Sequence, residues 1–270
     1  LTVLQIVRAH AQLNLRDAAG VKAIGNRFLF LVSDNDNNDP ICTSDTLINI
    51  LENVVALYHG KHNRNITISF FKAASSLLLQ DSSTPSPLLK QLDIGQIISL
   101  TLCLTHAHYS HYHLIHHLGT QTLHHSPSHL PPSATATLLS SFSTLLLNSH
   151  NATRPLVLDL FRHWGGNLLS AKITPADASA VLYAAAKSDY YSDLGIFDYL
   201  AEVLARDAPH ATTKEVSLGL WACGKMTAWD GFGGDSSPPY APRAEVLAEE
   251  LCRRREELKG RDVAQALWAL

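Results

Sequence analysis

Charged residues are scarce in this 270-residue chain. Asp, Glu, Lys and Arg make up 17% of it, and 21 basic residues face 24 acidic ones, for a formal charge of −3. A protein that holds nucleic acid by charge alone shows a strongly basic surface. The balance excludes that class, so any basic surface here must be local.

Long apolar runs and paired cysteines are also missing. The longest apolar clusters, at 28–32 and 181–186, fall far short of the ~18 to 20 residues that span a bilayer, which predicts no membrane insertion. The four cysteines are far apart and lack the spacing of zinc sites or redox dithiols. We expect them to be buried free thiols in a reducing compartment.

Enzyme motifs are the third absence. The chain has no phosphate-binding loop of the Walker type, no dinucleotide-binding glycine turn after a strand, no Gly-x-Ser-x-Gly and no His-Glu-x-x-His. Ser, His and Asp are so abundant that any chosen triad is worthless as evidence. We therefore predict a protein that is not an enzyme, with no catalytic residue, no metal and no cofactor.

Helical hairpins are what the sequence does contain. Thr174 and Pro175 have the chemistry of a helix start, and apolar residues follow at helical spacing at Ala178, Val181, Leu182 and Ala185. A second helix is predicted over 193–208, with Asp193 placed to cap it. The two helices make one hairpin.

This hairpin repeats. A shift of 38 residues aligns six features at once: Thr174 with Thr212, Asp177 with Glu215, Leu182 with Leu220, Tyr183 with Trp221, Ala184 with Ala222 and Lys187 with Lys225. The next offset is 47, which places Asp262 on Glu215 and Trp268 on Trp221. The nine extra residues fit the Gly- and Pro-rich stretch 230–239, a loop by composition.

The predicted fold class is all-α, an α-solenoid of about six and a half stacked hairpins of roughly 38 residues. Residues 1–130 form divergent hairpins with polar loops and a His-rich segment, and residues 131–270 form better-defined repeats. The remaining helices are predicted at 2–13, 16–32, 44–60, 65–80, 94–107, 109–125 and 155–169. Segments 33–39 and 82–87 read as exposed loops, and no strand pattern is long enough for a sheet. Because the chain lacks an initiator Met and stops at Leu270 inside a predicted helix, we expect an excerpt of a longer protein.

The phrases at 217–226 (SLGLWACGKM) and 262–270 (DVAQALWAL) resemble the Leu-Trp-Ala-Leu-Ala-Lys phrase of the octotricopeptide repeats and their RAP-domain and FAST-kinase-like relatives. Residues 4–17 look like a divergent copy, and the 38-residue period matches too. The resemblance implies an organellar α-solenoid, in mitochondria or alternatively chloroplasts. It also implies RNA binding in transcript maturation, translation or ribosome assembly.

Five basic residues are the candidate RNA-binding positions. Lys187 and Lys225 occupy equivalent places near the ends of the first helices of two hairpins, while Lys172, Lys214 and Arg261 lie near the starts. Such a ladder can contact phosphates. For Lys187 and Lys225, complementation of the helix dipole is an alternative explanation.

The recurring aromatic and acidic residues have two interpretations each. Tyr183, Trp221 and Trp268 can stack on unpaired bases, but packing between helices is the more ordinary role. The acidic residues at 177, 215 and 262 sit in first turns, where they stabilise free backbone N–H groups, so we do not expect them to be catalytic. Arg253, Arg254 and Arg255 form the densest basic cluster, which reads as a solvated helix face among glutamates, with an RNA- or protein-binding patch as the alternative.

Nine of the 15 histidines lie between positions 106 and 129. His113 and His117 have metal-pair spacing, yet residues 94–158 hold no Asp or Glu and only one cation, Arg154. We expect a nearly uncharged surface that contacts protein or RNA and gains charge if the pH falls. A metal-handling protein or enzyme centred on this segment is the weakest of the interpretations.

These observations lead to two functional hypotheses. The first is an organellar RNA-binding helical-repeat protein, a subunit or assembly factor of a mitochondrial ribosome that contacts rRNA, or an organellar mRNA, and ribosomal or other organellar proteins. The second is a protein–protein scaffold in an organellar complex without RNA contact. A continuous basic stripe along the first helices favours RNA, and an apolar or acidic face favours the scaffold.

Overall fold

The computed structural model describes residues 43–58, 64–81, 83–127, 130–147, 154–170, 172–190, 194–227 and 241–269. These residues contain twelve helices and almost no strand, and 82% of the residues are helical. The prediction of a mostly helical chain is confirmed for this part of it. The predicted hairpin at 2–32 and the loops at 33–39 and 230–239 lie outside the described residues.

Twelve helices make up most of the described residues. In chain order they are α1 Ser44–Tyr58, α2 Arg64–Leu78, α3 Pro87–Lys90, α4 Ile94–His106, α5 Tyr112–Thr122, α6 Pro132–Leu147, α7 Arg154–Trp164, α8 Pro175–Lys187, α9 Leu194–Arg206, α10 Thr213–Thr227, α11 Ala241–Arg253 and α12 Gly260–Ala269. Short 3₁₀ helices follow α7, at Gly165–Ser170, and α9, at Ala208–His210. None of the described helices is both long enough and apolar enough to cross a membrane.

The predicted loop at 82–87 is partly ordered secondary structure. Strand β2, Thr84–Pro85, pairs antiparallel with β1, Leu79–Gln80. Ser86 is buried, and its side chain accepts a hydrogen bond from the backbone N–H of Leu89, so it caps α3. The Ser-Pro pair at 86–87 is the local signal for this helix start, because Pro is favoured in the first turn behind a Ser cap.

The described residues divide into two compact units, one ending at His125 and the other beginning at Ser126. In the first unit α1 packs against α2 and α4, and α4 packs against α5. A capping box between Asp93 and Gln96 begins α4, and the Gln96 amide also donates to Asp45 in the first turn of α1. This bond fixes the starts of two helices that share the core of the unit.

In the second unit the first helices of successive hairpins pack side by side. Among the first helices, α8 contacts α6 and α10, and α10 contacts α12. The second helices α7, α9 and α11 each pack on the first helix of their own hairpin, and α9 also contacts α11. The apolar positions aligned by the repeat, Leu139, Leu182 and Leu220, are all buried. The sequence pattern therefore identifies the core-facing side of these helices.

Candidate nucleic-acid interface

The acidic residues that recur in the repeat cap the first helices. The Asp177 carboxylate accepts from the Thr174 hydroxyl, which itself accepts from the Asp177 backbone N–H. Glu215 accepts from the backbone N–H of Thr212. Asp262 accepts from the backbone N–H of Lys259. Each carboxylate is thus engaged with its own helix start, where unpaired N–H groups stabilise negative charge.

The solvent-accessible side of the first helices follows one register. On α8 the accessible positions include 176, 180, 183 and 187, and on α10 the equivalent positions 214, 218, 221 and 225. We call the accessible face of α8, α10 and α12 the first-helix surface, with these side chains: Tyr183, Lys187, Lys214, Leu218, Trp221, Lys225, Arg261 and Trp268. On α6 the equivalent positions 140 and 144 are Ser and Thr, so the aromatic and basic character starts at α8.

Three aromatic rings cross this surface as a continuous row. The ring of Tyr183 lies 4.9 Å from that of Trp221, and Trp221 lies 5.3 Å from Trp268, centroid to centroid. Tyr183 and Trp221 are half-buried, and Trp268 is 55% exposed. The rings therefore pack on one another between neighbouring helices and remain partly exposed. Both interpretations of their recurrence, packing and base stacking, are compatible with this placement.

Lys225 is held at the centre of the row. Its ammonium lies 5.6 Å from the centroid of the Trp221 ring and 2.8 Å from the Asp189 carboxylate. The other oxygen of Asp189 lies 2.7 Å from the guanidinium of Arg154 on α7. One carboxylate is thus shared by two cations at the end of α8. The repeat pattern in the sequence does not predict where the Asp189 carboxylate lies, although Arg154 stands out as the lone cation of residues 94–158.

The structure places Lys214 and Arg261 in the first turns of α10 and α12, both exposed, and Lys187 in the last turn of α8. Lys214 precedes Trp221 by seven residues, or about 10 Å along a helix, and Lys225 follows it by about 6 Å. Cations therefore flank the aromatic row on both sides. Four of the five predicted RNA-binding residues lie on the first-helix surface.

Lys172, the fifth predicted residue, lies elsewhere in the second unit. It is an exposed residue of the connection before α8 and lines an open groove of about 590 Å³ beside α9. Arg206 and Asp207, which pair bidentately at 3.0 Å, line the same groove. The Arg206 guanidinium lowers the pKa of Asp207, and Lys172 adds a smaller effect in the same direction. Lys172 therefore lies in a groove that also holds the ion pair of Arg206 and Asp207.

Two of the second helices, α9 and α11, are net acidic, whereas α7 carries Arg154 and Arg162 against Asp159. On α9 and α11 five acidic residues accompany three basic ones, namely Asp198, Glu202, Glu245, Glu249 and Glu250 against Arg206, Arg243 and Arg253. The interpretation of residues 253–255 as a solvated face is wrong for Arg254. Its guanidinium donates to Glu250, which is buried, and to the carbonyl oxygens of Ala208, Pro209 and Ala211. Only its neighbours in the cluster, Arg253 and Arg255, are exposed.

The histidines of the first unit line an exposed edge formed by the end of α4, the following turn and α5. His106, His108, His113, His116 and His124 are exposed. The His111 ring caps α5, and burial, with a smaller contribution from His113, lowers the pKa of His111. His117 is hydrogen-bonded to the carbonyl oxygen of Ser83. Among the described residues there is no group of three or more His, Cys, Asp or Glu side chains placed to hold a metal ion.

The cysteines differ from the prediction at one position. Cys103 and Cys223 are buried free thiols, but Cys252 on α11 is exposed. Burial raises the pKa of both Cys103 and Cys223 to about 12, with minor help from nearby carboxylates. Cys252 follows the buried Leu251 but lies on the polar side of an amphipathic helix. Because cysteine is itself apolar, the sequence does not reveal this exposed placement. Cys42 lies outside the described residues.

No protein-family model matches this chain, and no curated protein matches it either. The candidate interface therefore rests on the geometry of the second unit and on the repeat within the sequence.

Proposed function

We propose that this chain is an organellar RNA-binding helical-repeat protein and that RNA contacts its first-helix surface. The proposal includes an α-solenoid of stacked hairpins, of which α6 to α12 are the best-defined part. Its role is that of a subunit or assembly factor of a mitochondrial ribosome, as the resemblance to octotricopeptide repeats implies. The proposal assigns no chemical step to the protein.

The observation that carries the proposal is the grouping of cations and aromatic rings on the first helices of the second unit. The first helices carry four cations, Lys187, Lys214, Lys225 and Arg261, and their three acidic residues are engaged in caps. The partly exposed rings of Tyr183, Trp221 and Trp268 lie between these cations. A cationic track with interleaved aromatic rings is the arrangement that binds single-stranded nucleic acid, because backbone phosphates and base faces are satisfied together.

The modest number of cations sets the expected strength and salt dependence. Lys225 is paired with Asp189, which leaves Lys187, Lys214 and Arg261 for phosphate contacts. Each phosphate contact adds about 0.7 to the salt slope for a single strand, so three contacts give a slope of about 2. Such binding is weak at physiological salt, which agrees with the formal charge of −3. It suits a ribonucleoprotein subunit that makes local rRNA contacts and uses the rest of its surface for proteins.

The test in the native context is ultraviolet crosslinking of the full-length protein in organelle extract, followed by sequencing of the attached RNA. The proposal expects crosslinks concentrated in ribosomal RNA and crosslinked peptides that map to α8, α10 or α12. Crosslinks to a single messenger would replace the ribosomal role with that of a transcript-specific factor. RNA recovery at background level would contradict RNA binding altogether.

The protein–protein scaffold without RNA contact is the second candidate. Recovery of protein partners with no RNA in the crosslinking experiment would favour this function.

A further inference from the structure

The carboxylate of Asp189 contacts Lys225, the lysine that lies over the central ring of the aromatic row. It bridges Arg154 of α7 at 2.7 Å and Lys225 of α10 at 2.8 Å, while Asp189 itself follows α8. It thus connects three successive hairpins. Asp189 and Lys225 retain 30% and 25% side-chain exposure, so both remain within reach of a ligand at the surface.

The backbone holds this carboxylate in place. Asp189 has a φ of +52°, in the left-handed region that Asp and Asn tolerate better than most residues. The backbone N–H groups of Asp189 and Tyr190 donate to the carbonyl oxygens of Ala186 and Ala185 and close the end of α8. The buried ring of Tyr190 stacks on Phe161 at 5.0 Å. The side chain therefore projects from a fixed turn.

The repeat register shows that this carboxylate occurs once. The residue equivalent to Asp189 in the following hairpin is Thr227, at the same offset of 38. In the preceding hairpin, at the offset of 43 that aligns Pro132 with Pro175, it is the buried Leu146. Lys187 and Lys225 are equivalent positions, yet the carboxylate lies against Lys225. Asp189 is thus a local addition to the repeat.

We propose that Asp189 determines the selectivity of the first-helix surface for unpaired RNA; this inference rests on the proposed function. By occupying Lys225 and Arg154, the carboxylate excludes backbone phosphate from the centre of the aromatic row. The row then accepts base faces by stacking, and phosphates are contacted at the flanking cations. A duplex exposes phosphates and buries its base faces, so it gains little from this surface.

The test measures the affinity of the full chain for single-stranded and for duplex RNA of the same 20-nucleotide sequence, at several salt concentrations. Asp189→Asn keeps the shape and the turn tolerance and raises the net charge of Arg154, Asp189 and Lys225 from +1 to +2. We expect duplex affinity to rise about fivefold, single-strand affinity to rise less, and the salt slope for the duplex to steepen by about 1. Arg154→Gln lowers the same net charge to zero and should weaken duplex binding.

The matched control is Asp159→Asn, which removes an exposed carboxylate on α7 that pairs with Arg162. It makes the same charge change away from the first-helix surface and should leave the ratio of the two affinities unchanged. Three results are decisive. In the first, the wild-type chain binds single strands, and both Asp189→Asn and Arg154→Gln leave the ratio of single-strand to duplex affinity and the salt slope unchanged. That result overturns the role of Asp189 and leaves the proposed function standing. An equal gain in Asp159→Asn overturns that role too, since the effect is then net charge. A wild-type chain that binds neither RNA overturns the proposed function as well.

Discussion

Arg254 and Glu250 form an ion pair at the end of α11 that is largely withdrawn from solvent, with 16% and 6% of their side chains exposed. The same guanidinium donates to the carbonyl oxygens of Ala208 and Ala211 at 2.8 and 2.7 Å. A single side chain therefore ties α11 to the turn that follows α9. A buried pair of this kind is costly to break because removal of one partner leaves the other charge uncompensated.

Arg254→Ala should lower the free energy of unfolding by about 2 to 3 kcal/mol, because Glu250 loses its better-buried partner and three carbonyl groups lose a donor. Chemical denaturation monitored by circular dichroism measures the change. Arg253 is the control, since it pairs with the same carboxylate but is 67% exposed. Arg253→Ala should cost less than about 1 kcal/mol. Equal losses in the two variants would show that Arg254 has no special structural role.

A second prediction concerns the close approach of α10 and α12 at Gly224. A Cβ atom there would lie 2.6 Å from the carbonyl oxygen of Ala269 and 2.7 Å from its Cα. Gly224→Ala should therefore destabilise the protein by about 1 to 3 kcal/mol, despite the better helix propensity of Ala. Gly166→Ala is the control, because a Cβ at Gly166 meets nothing within 4 Å. Thermal unfolding that is unchanged in Gly224→Ala would contradict the contact between the two helices.

The register of the repeat can be tested with a buried charge. Leu182→Asp and Leu220→Asp place a carboxylate at positions that are 0% and 3% exposed, and each should destabilise the second unit by more than about 3 kcal/mol. Lys214→Ala changes an exposed side chain in the first turn of α10 and should leave the melting temperature nearly unchanged. Loss of stability in Lys214→Ala, with tolerance of the leucine variants, would place the core on the other side of these helices.

Cysteine reactivity should separate the three described thiols. With a pKa near 12, Cys103 and Cys223 stay protonated and inaccessible at pH 8, whereas Cys252 is exposed. Iodoacetamide labelling of the native protein at pH 8, read by peptide mass spectrometry, should modify Cys252 first. Guanidinium should make all three react at similar rates. Rapid native labelling of Cys223 would indicate that α10 opens readily.

Much of the helical structure could be predicted because its signals are local. Thr174 and Pro175 begin α8 as a capping residue and a first-turn proline do, and the spacing of apolar residues identifies Leu182 and Leu220 as core. Self-alignment placed Tyr183, Trp221 and Trp268 at one register position, and the structure brings their rings together. Because a repeat makes positions far apart in the chain structurally equivalent, aligning the sequence with itself predicts which side chains share a face.

The partners of single charged residues could not be predicted in this way. Arg254 reaches carbonyl groups more than 40 residues away, and Asp189 reaches cations 35 and 36 residues away on either side. Neither contact recurs in the repeat, so no alignment of the chain with itself reveals it. Long side chains at helix ends also have many rotamers, and tertiary packing selects among them. These contacts therefore became visible only with the folded chain.

The imidazoles exposed along α4 and α5 have a practical consequence for purification. The imidazole rings of His106, His108, His113, His116 and His124 are exposed along the end of α4, the following turn and α5. Immobilised nickel resin retains proteins through such rings, so this chain should bind the resin without any added affinity tag. Metal recovered after that procedure would be carried over from the column, and tag-based pull-downs of partners would need a different resin.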